Sequence, residues 1–340
     1  MNKEFLEAIT ALCKEKGISE DVIISALEGG LVSAYKKNFN NAQNVEVDIN
    51  TEKGTIKVYA KKKVVSEVLN DAEEISLEDA KKIDKSAELD GEVNIEVTPK
   101  NFARVAATNA KQIITQRIRE AEKGIIFSEF TEKTGQIVAG RIERIERGNV
   151  YVDIGKIEAY LPVNEQPVGE EYRVGDMIKC YVSDVRNGIK GTSILVSRTH
   201  PGLVRKLFET EVPEIADGIV EIKNIAREAG SRTKIAVYSA DPDIDAQGAC
   251  IGPKGMRVQN IGDELRDEKI DIVKWSEDPA EYITASLSPA KVLSTVIDEE
   301  EMSAKVTVPE YQLSLAIGKS GQNVRLAARL TGWKIDITAE

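Results

Sequence analysis

Residues 316–324 read AIGKSGQNV and residues 250–258 read CIGPKGMRV, so the pattern Ile-Gly-x-x-Gly occurs twice in the chain. The first glycines of the two motifs, Gly252 and Gly318, lie 66 residues apart. The flanking segments repeat as well: KIAV at 234–237, KVTV at 305–308, and KIDI at both 269–272 and 334–337. Self-similarity at a similar spacing and in the same order indicates a structural unit that occurs twice in succession.

Each copy of the repeat predicts a strand, a short helix, the glycine turn, an amphipathic helix and a second strand. In the second copy we expect the helices at residues 312–316 and 323–330. Glycines at both ends of a two-residue turn let the helices meet closely, and they leave backbone amides open to a phosphate. Lys254 and Lys319 add positive charge to the turns. One such turn is weak evidence, but two in matching contexts favour a nucleic-acid function.

A further helix and strand precede each copy, and the resulting order resembles the KH module of RNA-binding proteins in its bacterial αββααβ arrangement. The resemblance implies that each turn clamps an RNA backbone while the bases lie in an apolar groove. It assigns RNA contacts to Gly252, Lys254, Gly255, Arg257, Gly318, Lys319, Ser320, Gly321 and Arg325. Pro253 in the first turn lacks a backbone N–H, so we expect the second clamp to bind RNA more strongly.

Two patterns in the same region have competing interpretations. The residues GKS at 318–320 resemble the end of a nucleotide-binding P-loop, but that motif needs a glycine where the chain has Leu313. The residues DPDID at 241–245 resemble the start of a calcium loop, but no glycine or glutamate follows at the required offsets. A helix junction and a turn with a helix cap explain the two patterns better.

Five short segments with apolar and polar alternation precede the repeats, at 136–145, 149–154, 157–161, 177–185 and 192–197. Glycines and Pro162 separate them, which is typical of a small Greek-key barrel. The segment resembles the RNA-binding OB-fold family named after ribosomal protein S1. That resemblance assigns RNA contacts to Arg147, Tyr151, Arg186, Lys190 and Arg198. Arg147 and Pro162 stand where Phe and His are common, so we expect modest affinity from the barrel.

The first 130 residues predict a separate α+β domain. Apolar residues at helical spacing over 5–12 and 22–32 predict two helices separated by Gly17 and Ser19. Alternating residues over 45–58 predict a hairpin with a turn at 52–54, and a short helix is predicted over 76–83. A strand over 93–97 then leads into a long helix that we expect to end near Lys123.

Composition limits the classes of function. The chain has a formal charge of −11, with 19 basic and 23 acidic residues in 1–130, 10 and 10 in 131–200, and 17 and 24 in 201–340. RNA binding must therefore be local, because long-range attraction is absent. Three scattered cysteines and one histidine, His200, argue against a metal site, a disulfide framework or histidine-based catalysis. We expect no enzyme activity and no cofactor. Since the chain begins without an apolar signal core, we expect a cytoplasmic protein without a membrane anchor.

The order of parts resembles the family of bacterial transcription termination and antitermination factors from end to end. The expected boundaries are an N-terminal domain at 1–127, an S1 domain at 133–199, and KH domains at 201–276 and 279–340. The resemblance implies that the N-terminal domain binds core RNA polymerase against the flap of the β subunit. The barrel and KH modules would bind nascent single-stranded RNA, and other antitermination factors would be further partners of a monomeric protein.

Two alternatives remain open at this point. A stand-alone RNA chaperone or a translation-associated RNA-binding protein would use the same RNA modules, with an N-terminal domain that binds RNA or ribosomes. A hydrolase that uses a carboxylate pair is disfavoured, because no acidic pair framed by glycines and no metal-ligand spacing is present.

Overall fold

The computed structural model of the chain describes residues 11, 13–15, 17–39, 44–50, 55–188 and 191–340. The chain divides into two compact units, Met1–Ile125 and Ile126–Glu340. Among the helices in these described ranges, none is both long enough and apolar enough to cross a membrane.

The first unit packs helices against a mixed four-stranded sheet; the sequence predicts this α+β class and three of the strands, but not the short parallel strand Glu74–Ser76. Its elements are α1 (Glu20–Phe39), β1 (Val45–Asn50), β2 (Thr55–Val65), β3 (Glu74–Ser76), α2 (Leu77–Ile83), β4 (Glu92–Glu96) and α3 (Phe102–Glu132). The hairpin of β1 and β2 pairs Val47 with Val58, which places alternate apolar side chains in the core. Of the helix predicted over 5–12, residues 5–10 and Leu12 lie outside the described residues, as does the turn predicted at 52–54.

Helix α3 does not end near Lys123 as expected but continues to Glu132. Its early residues, including Phe102 and Ala106, belong to the core of the first unit. Its last turns carry Ile126 and Phe130 into the core of the following barrel, where Phe130 is only 2% exposed. Local sequence signals missed this extension because burial in another module stabilises it.

The barrel contains all five predicted strands: β5 (Ile137–Glu146), β6 (Asn149–Asp153), β7 (Glu158–Leu161), β8 (Met177–Gly188) and β9 (Gly191–Ser197). They close in the order β5-β6-β7-β9-β8. Every pairing is antiparallel except that of β7 with β9. Inward-pointing residues such as Ile142, Val152 and Leu161 fill the interior, so the barrel has a packed core rather than a channel.

The two repeats form two modules with the same αββααβ order. The first contains α4 (Pro201–Glu211), α5 (Pro213–Ala216), β10 (Glu221–Glu228), β11 (Arg232–Tyr238), α6 (Ala246–Ile251), α7 (Met256–Glu264) and β12 (Lys269–Lys274). The second contains α8 (Pro279–Ser286), β13 (Ser294–Asp298), β14 (Ser303–Val308), α9 (Leu313–Ile317), α10 (Gln322–Thr331) and β15 (Lys334–Ala339). In each sheet the middle strand pairs antiparallel with the first strand and parallel with the last. The bacterial KH arrangement is confirmed.

Helix α10 of the second KH module packs on the sheet of the first. Leu326 and Leu330 are buried in one cluster with Ala226, Ala236 and Val273 from that sheet. Small residues on a sheet face allow a helix to approach closely, so the contact is densely packed. The backbone oxygen of Leu330 also accepts a hydrogen bond of 3.1 Å from the Asn224 side chain of the first module.

The barrel joins the first KH module at His200, whose ring stacks on a tyrosine of the barrel and whose backbone accepts a hydrogen bond from the KH module. The ring of His200 lies parallel to that of Tyr181, with centroids 4.5 Å apart. His200 also caps α4, because its Nδ1 accepts a hydrogen bond from the Gly202 amide at 3.0 Å. Its backbone oxygen accepts one from Arg227, which forms two hydrogen bonds with Glu268.

Phe130→Ala should destabilise the unit Ile126–Glu340 by about 3–5 kcal/mol, because a large ring would leave a cavity in the barrel core. Both tryptophans, Trp275 and Trp333, lie in this unit, so urea unfolding followed by tryptophan emission reports on it alone. Ile125→Ala, at a half-exposed position of the same helix, is the control and should leave the transition nearly unchanged. Equal transitions for the two variants would contradict the proposed role of Phe130.

Candidate nucleic-acid interface

The two glycine turns have the same backbone conformation. In the first, Gly252, Lys254 and Gly255 have φ angles of 73°, 54° and 77°. In the second, Gly318, Ser320 and Gly321 have φ angles of 76°, 52° and 74°. Three residues of each four-residue turn therefore lie in the left-handed region, which glycine enters at little cost. The chain reverses sharply between two helices, and the N-terminal ends of α7 and α10 are presented at the turns.

The first glycine of each turn is required by a side chain that packs against it. A Cβ atom on Gly252 would lie 2.6 Å from the Cγ of Arg257, and one on Gly318 would lie 2.7 Å from the Cβ of Asn323. Arg257 and Asn323 occupy equivalent positions in the two copies, five residues after that glycine. The glycines are thus needed for close packing as well as for the turn.

Arg257 and Asn323 both bind the end of the helix that precedes the turn. Nη1 of Arg257 donates to the oxygen of Ala249 at 2.6 Å, and Nδ2 of Asn323 donates to that of Ala316 at 3.0 Å. Carbonyls at a helix C-terminus need such partners. Arg257 also pairs with Glu214 at 2.9 Å, so its main observed role is to hold the turn, and an RNA contact from it stays a prediction. Sequence reasoning missed Asn323, although aligning the two copies would have matched it with Arg257.

Positive charge is placed differently in the two turns. Lys254 is equivalent in position and backbone conformation to Ser320, whereas Lys319 is equivalent to Pro253. Within the second turn, the Gly321 amide donates to the oxygen of Gly318 at 3.1 Å. The amides of Lys319 and Ser320 lie between these two glycines. Because proline has no N–H, the first turn has one such donor fewer.

Arg325 lies beside the second turn and is bound to protein groups on two sides. Its Nη1 donates to the oxygen of Ser320 at 3.1 Å, and its Nε donates to Glu228 of the first module at 2.6 Å. The side chain is nevertheless 43% exposed. The structure therefore brings Arg325 together with the turn residues Gly318–Gly321, as the RNA-binding prediction requires.

On the barrel, Tyr151 lies next to two residues that the sequence analysis did not select. The guanidinium of Arg144 lies 3.6 Å from the centre of the Tyr151 ring, and Tyr160 lies 5.5 Å from it on the neighbouring strand. Glu158 holds Arg144 through two hydrogen bonds of 2.8 and 2.7 Å. One face of Tyr151 is thus already covered, which supports the expectation of modest affinity from the barrel.

The other selected barrel residues are placed less uniformly. Arg147 is exposed in the turn between β5 and β6, with a φ of 50°. Arg186 is 77% exposed near the end of β8 and pairs with Asp184 at 2.6 Å. Lys190 lies outside the described residues.

Arg198 is not an exposed RNA contact, and that expectation is corrected. The residue is 1% exposed and forms an ion pair of 2.7 Å with Glu170, itself buried. Its Nη1 and Nη2 donate to the backbone oxygens of Lys179 and Glu264 at 2.6 and 2.9 Å. A buried guanidinium that links the barrel to α7 has a structural role.

Comparison with known families gives four adjoining matches along the chain: the NusA N-terminal domain over residues 4–124, the S1 RNA binding domain over 131–197, and the NusA-like first and second KH domains over 198–275 and 279–340. A protein of Bacillus subtilis, "Transcription termination/antitermination protein NusA", is 57% identical over the whole chain and 92% of its own length. This chain belongs to the NusA family.

Other NusA proteins are also similar over nearly the whole chain. The protein of Halalkalibacterium halodurans is 57% identical over the whole chain and 89% of its own length. The Thermus thermophilus protein is 44% identical over 98% of this chain and 89% of its own length. The similarity thus extends across both compact units of this NusA-family chain.

Arg198→Ala should lower the free energy of unfolding by about 3–5 kcal/mol, because it removes the nearest partner of the buried Glu170 carboxylate and leaves only Arg266 at 3.7 Å. Arg186→Ala is the matched control, since it removes the same charge from an exposed position of the same barrel, and it should leave the tryptophan-detected urea transition unchanged. A stable Arg198→Ala variant with weaker RNA binding would restore the original assignment.

Proposed function

We propose that this chain is a transcription elongation factor that binds RNA polymerase and nascent RNA and thereby modulates pausing, termination and antitermination. The names of the relatives and the order of the four matched domains support the proposal. The observation that carries it is the pair of glycine turns with identical backbone conformation in adjoining KH modules. The protein would act by binding and positioning, without a covalent step.

We further propose that RNA is held chiefly at the second turn. Lys319 and Ser320 are exposed there, the amides of both residues can donate to a phosphate, and the N-terminal end of α10 favours an anion. Two linked modules raise the effective concentration of each, so weak clamps combine into useful affinity. The contacts proposed at Gly252, Lys254 and Gly255 are weaker because Pro253 removes a donor.

Because the chain as a whole is acidic, we propose that polymerase binding brings the protein to its RNA. The N-terminal unit would bind the flap of the β subunit, next to which RNA leaves the enzyme. Other antitermination factors would join the same complex in the cytoplasm, with this protein present as a monomer. The domain boundaries given from the sequence, 1–127, 133–199, 201–276 and 279–340, are kept as part of this proposal.

Replacing Lys319 and Ser320 together by Asp should weaken binding to single-stranded RNA by about tenfold or more, because two carboxylates would face the phosphate. The measurement is a filter-binding titration at fixed salt with a 5′-labelled RNA pool of random sequence. Circular dichroism should show an unchanged fold, since both side chains are exposed.

Lys85 and Ser86 form the matched control, because this exposed Lys-Ser pair lies in the first unit. Replacing it by two Asp residues makes the same change in net charge away from the turns. RNA affinity should stay near that of the wild type. If both double variants lose affinity equally, general repulsion is the cause and the clamp assignment is wrong.

Residues 1–125 should retain core RNA polymerase from Bacillus subtilis in a pull-down, while residues 126–340 should retain much less. The comparison is meaningful because the two fragments correspond to the two compact units. An RNA chaperone or translation factor would not depend on polymerase. Equal absence of polymerase from both pull-downs would favour that alternative.

A further inference from the structure

Glu228, the last residue of β10 in the first KH module, receives hydrogen bonds from two residues of α10 in the second. Arg325 binds it through Nε at 2.6 Å and Nη2 at 3.1 Å. The side chain of Gln322 donates to the same carboxylate at 2.8 Å and to the Ser231 hydroxyl at 2.8 Å. Nη1 of Arg329 lies 3.8 Å away. One carboxylate of the first module therefore holds the first turns of the helix that begins at the second clamp.

The contact reaches the clamp through Arg325. While Nε and Nη2 bind Glu228, Nη1 donates to the backbone oxygen of Ser320 inside the turn. A guanidinium has five N–H groups, so these three bonds leave two for a phosphate. The planar group is fixed at both ends in an orientation that directs charge to the turn, and less side-chain entropy is lost when RNA binds.

The first clamp is supported differently, from within its own module. Arg257 beside that turn pairs with Glu214 of α5 at 2.9 Å, and Asn260 donates to Glu211 of α4 at 2.7 Å. The second clamp instead uses a carboxylate from the other module. This difference could not be read from the repeat, because the supporting residues come from other parts of the chain.

The electrostatic state of Glu228 suits this arrangement. The hydrogen bond from Arg325 outweighs the effect of partial burial and lowers the pKa of the Glu228 carboxyl. The carboxylate is therefore ionised at neutral pH, and it stays a strong acceptor for Arg325. At 22% exposure its side chain is also partly shielded from solvent, which limits screening by salt.

We propose that Glu228 of the first KH module is a positioning residue for the RNA clamp of the second, acting by holding Arg325 against the turn Gly318–Gly321. This inference rests on the proposed RNA-binding function of that turn. It follows that the two clamps are not independent: the second reaches its full RNA affinity only when the hairpin of β10 and β11 is present beside it.

The test is a double-mutant cycle in the full chain with Glu228→Gln, Arg325→Gln and the double variant, measured by filter binding to the random-sequence RNA pool. Glu228→Gln should lower affinity about threefold to fivefold, the size expected for a partly exposed ion pair. The double variant should bind about as weakly as Arg325→Gln alone, because Glu228 acts through Arg325. Glu228→Asp, which keeps the carboxylate, should recover part of the loss.

Glu221→Gln is the matched control, since it removes one negative charge from the other end of β10, where the carboxylate pairs with Lys223. It should leave affinity unchanged or slightly raised. Tryptophan emission reports on the packing between the two KH modules, because Trp275 packs against their shared cluster. It should stay the same in every variant if that packing is intact. A loss of affinity with altered emission and no recovery in Glu228→Asp would mean that Glu228 only supports the fold, which overturns the proposal.

Two further results would also overturn it: tighter RNA binding by Glu228→Gln, or losses that multiply in the double variant. The double variant with Lys319→Asp and Ser320→Asp, measured in the same assay, distinguishes an error in the positioning role of Glu228 from an error in the clamp assignment. If that variant weakens binding while Glu228→Gln behaves like Glu221→Gln, only the positioning role is wrong. If that variant has no effect, the clamp assignment itself fails and the positioning role fails with it.

Discussion

The packing of α10 on the sheet of the first KH module is the contact on which the RNA-binding unit depends. Leu326 and Leu330 are buried there, and Ala226 and Ala236 make room for the helix. The same helix begins immediately after the turn that ends at Gly321. Apolar packing between the modules therefore also sets the position of the second glycine turn, and a change at this interface would be transmitted to the proposed RNA site.

Buried ion pairs make the junctions between modules specific rather than merely stable. Arg198, paired with Glu170 inside the barrel, donates to the backbone oxygen of Glu264 in the first KH module, while Lys234 of that module binds both Asp271 and the backbone oxygen of Ser288 in the second. Burying charge costs free energy that the attraction between the partners roughly offsets, so such pairs add little net stability. Their hydrogen bonds are directional, however, and few relative orientations of the modules satisfy them all.

The acidic balance of the chain and its RNA-binding function are compatible because the positive groups act locally. A net charge of −11 provides no attraction at long range, and the ordinary rate advantage of a basic protein is lost. Several cations near the RNA modules already have internal partners, as Arg144 has Glu158 and Arg325 has Glu228. Under the proposed function, donors with fixed directions, rather than a diffuse field, determine where RNA is held.

The sequence by itself determined the barrel strands, the order of the KH modules and the position of both glycine turns, because alternation, helical spacing and turn glycines are local signals. The tertiary structure decided the roles of individual charges. Arg198 is buried against a partner 28 residues away, and Arg325 is held by one 97 residues away. Tertiary structure also explains why α3 continues to Glu132, because Phe130 is buried in a different module. Burial and long-range pairing depend on which surfaces come into contact, and local sequence patterns do not predict those contacts.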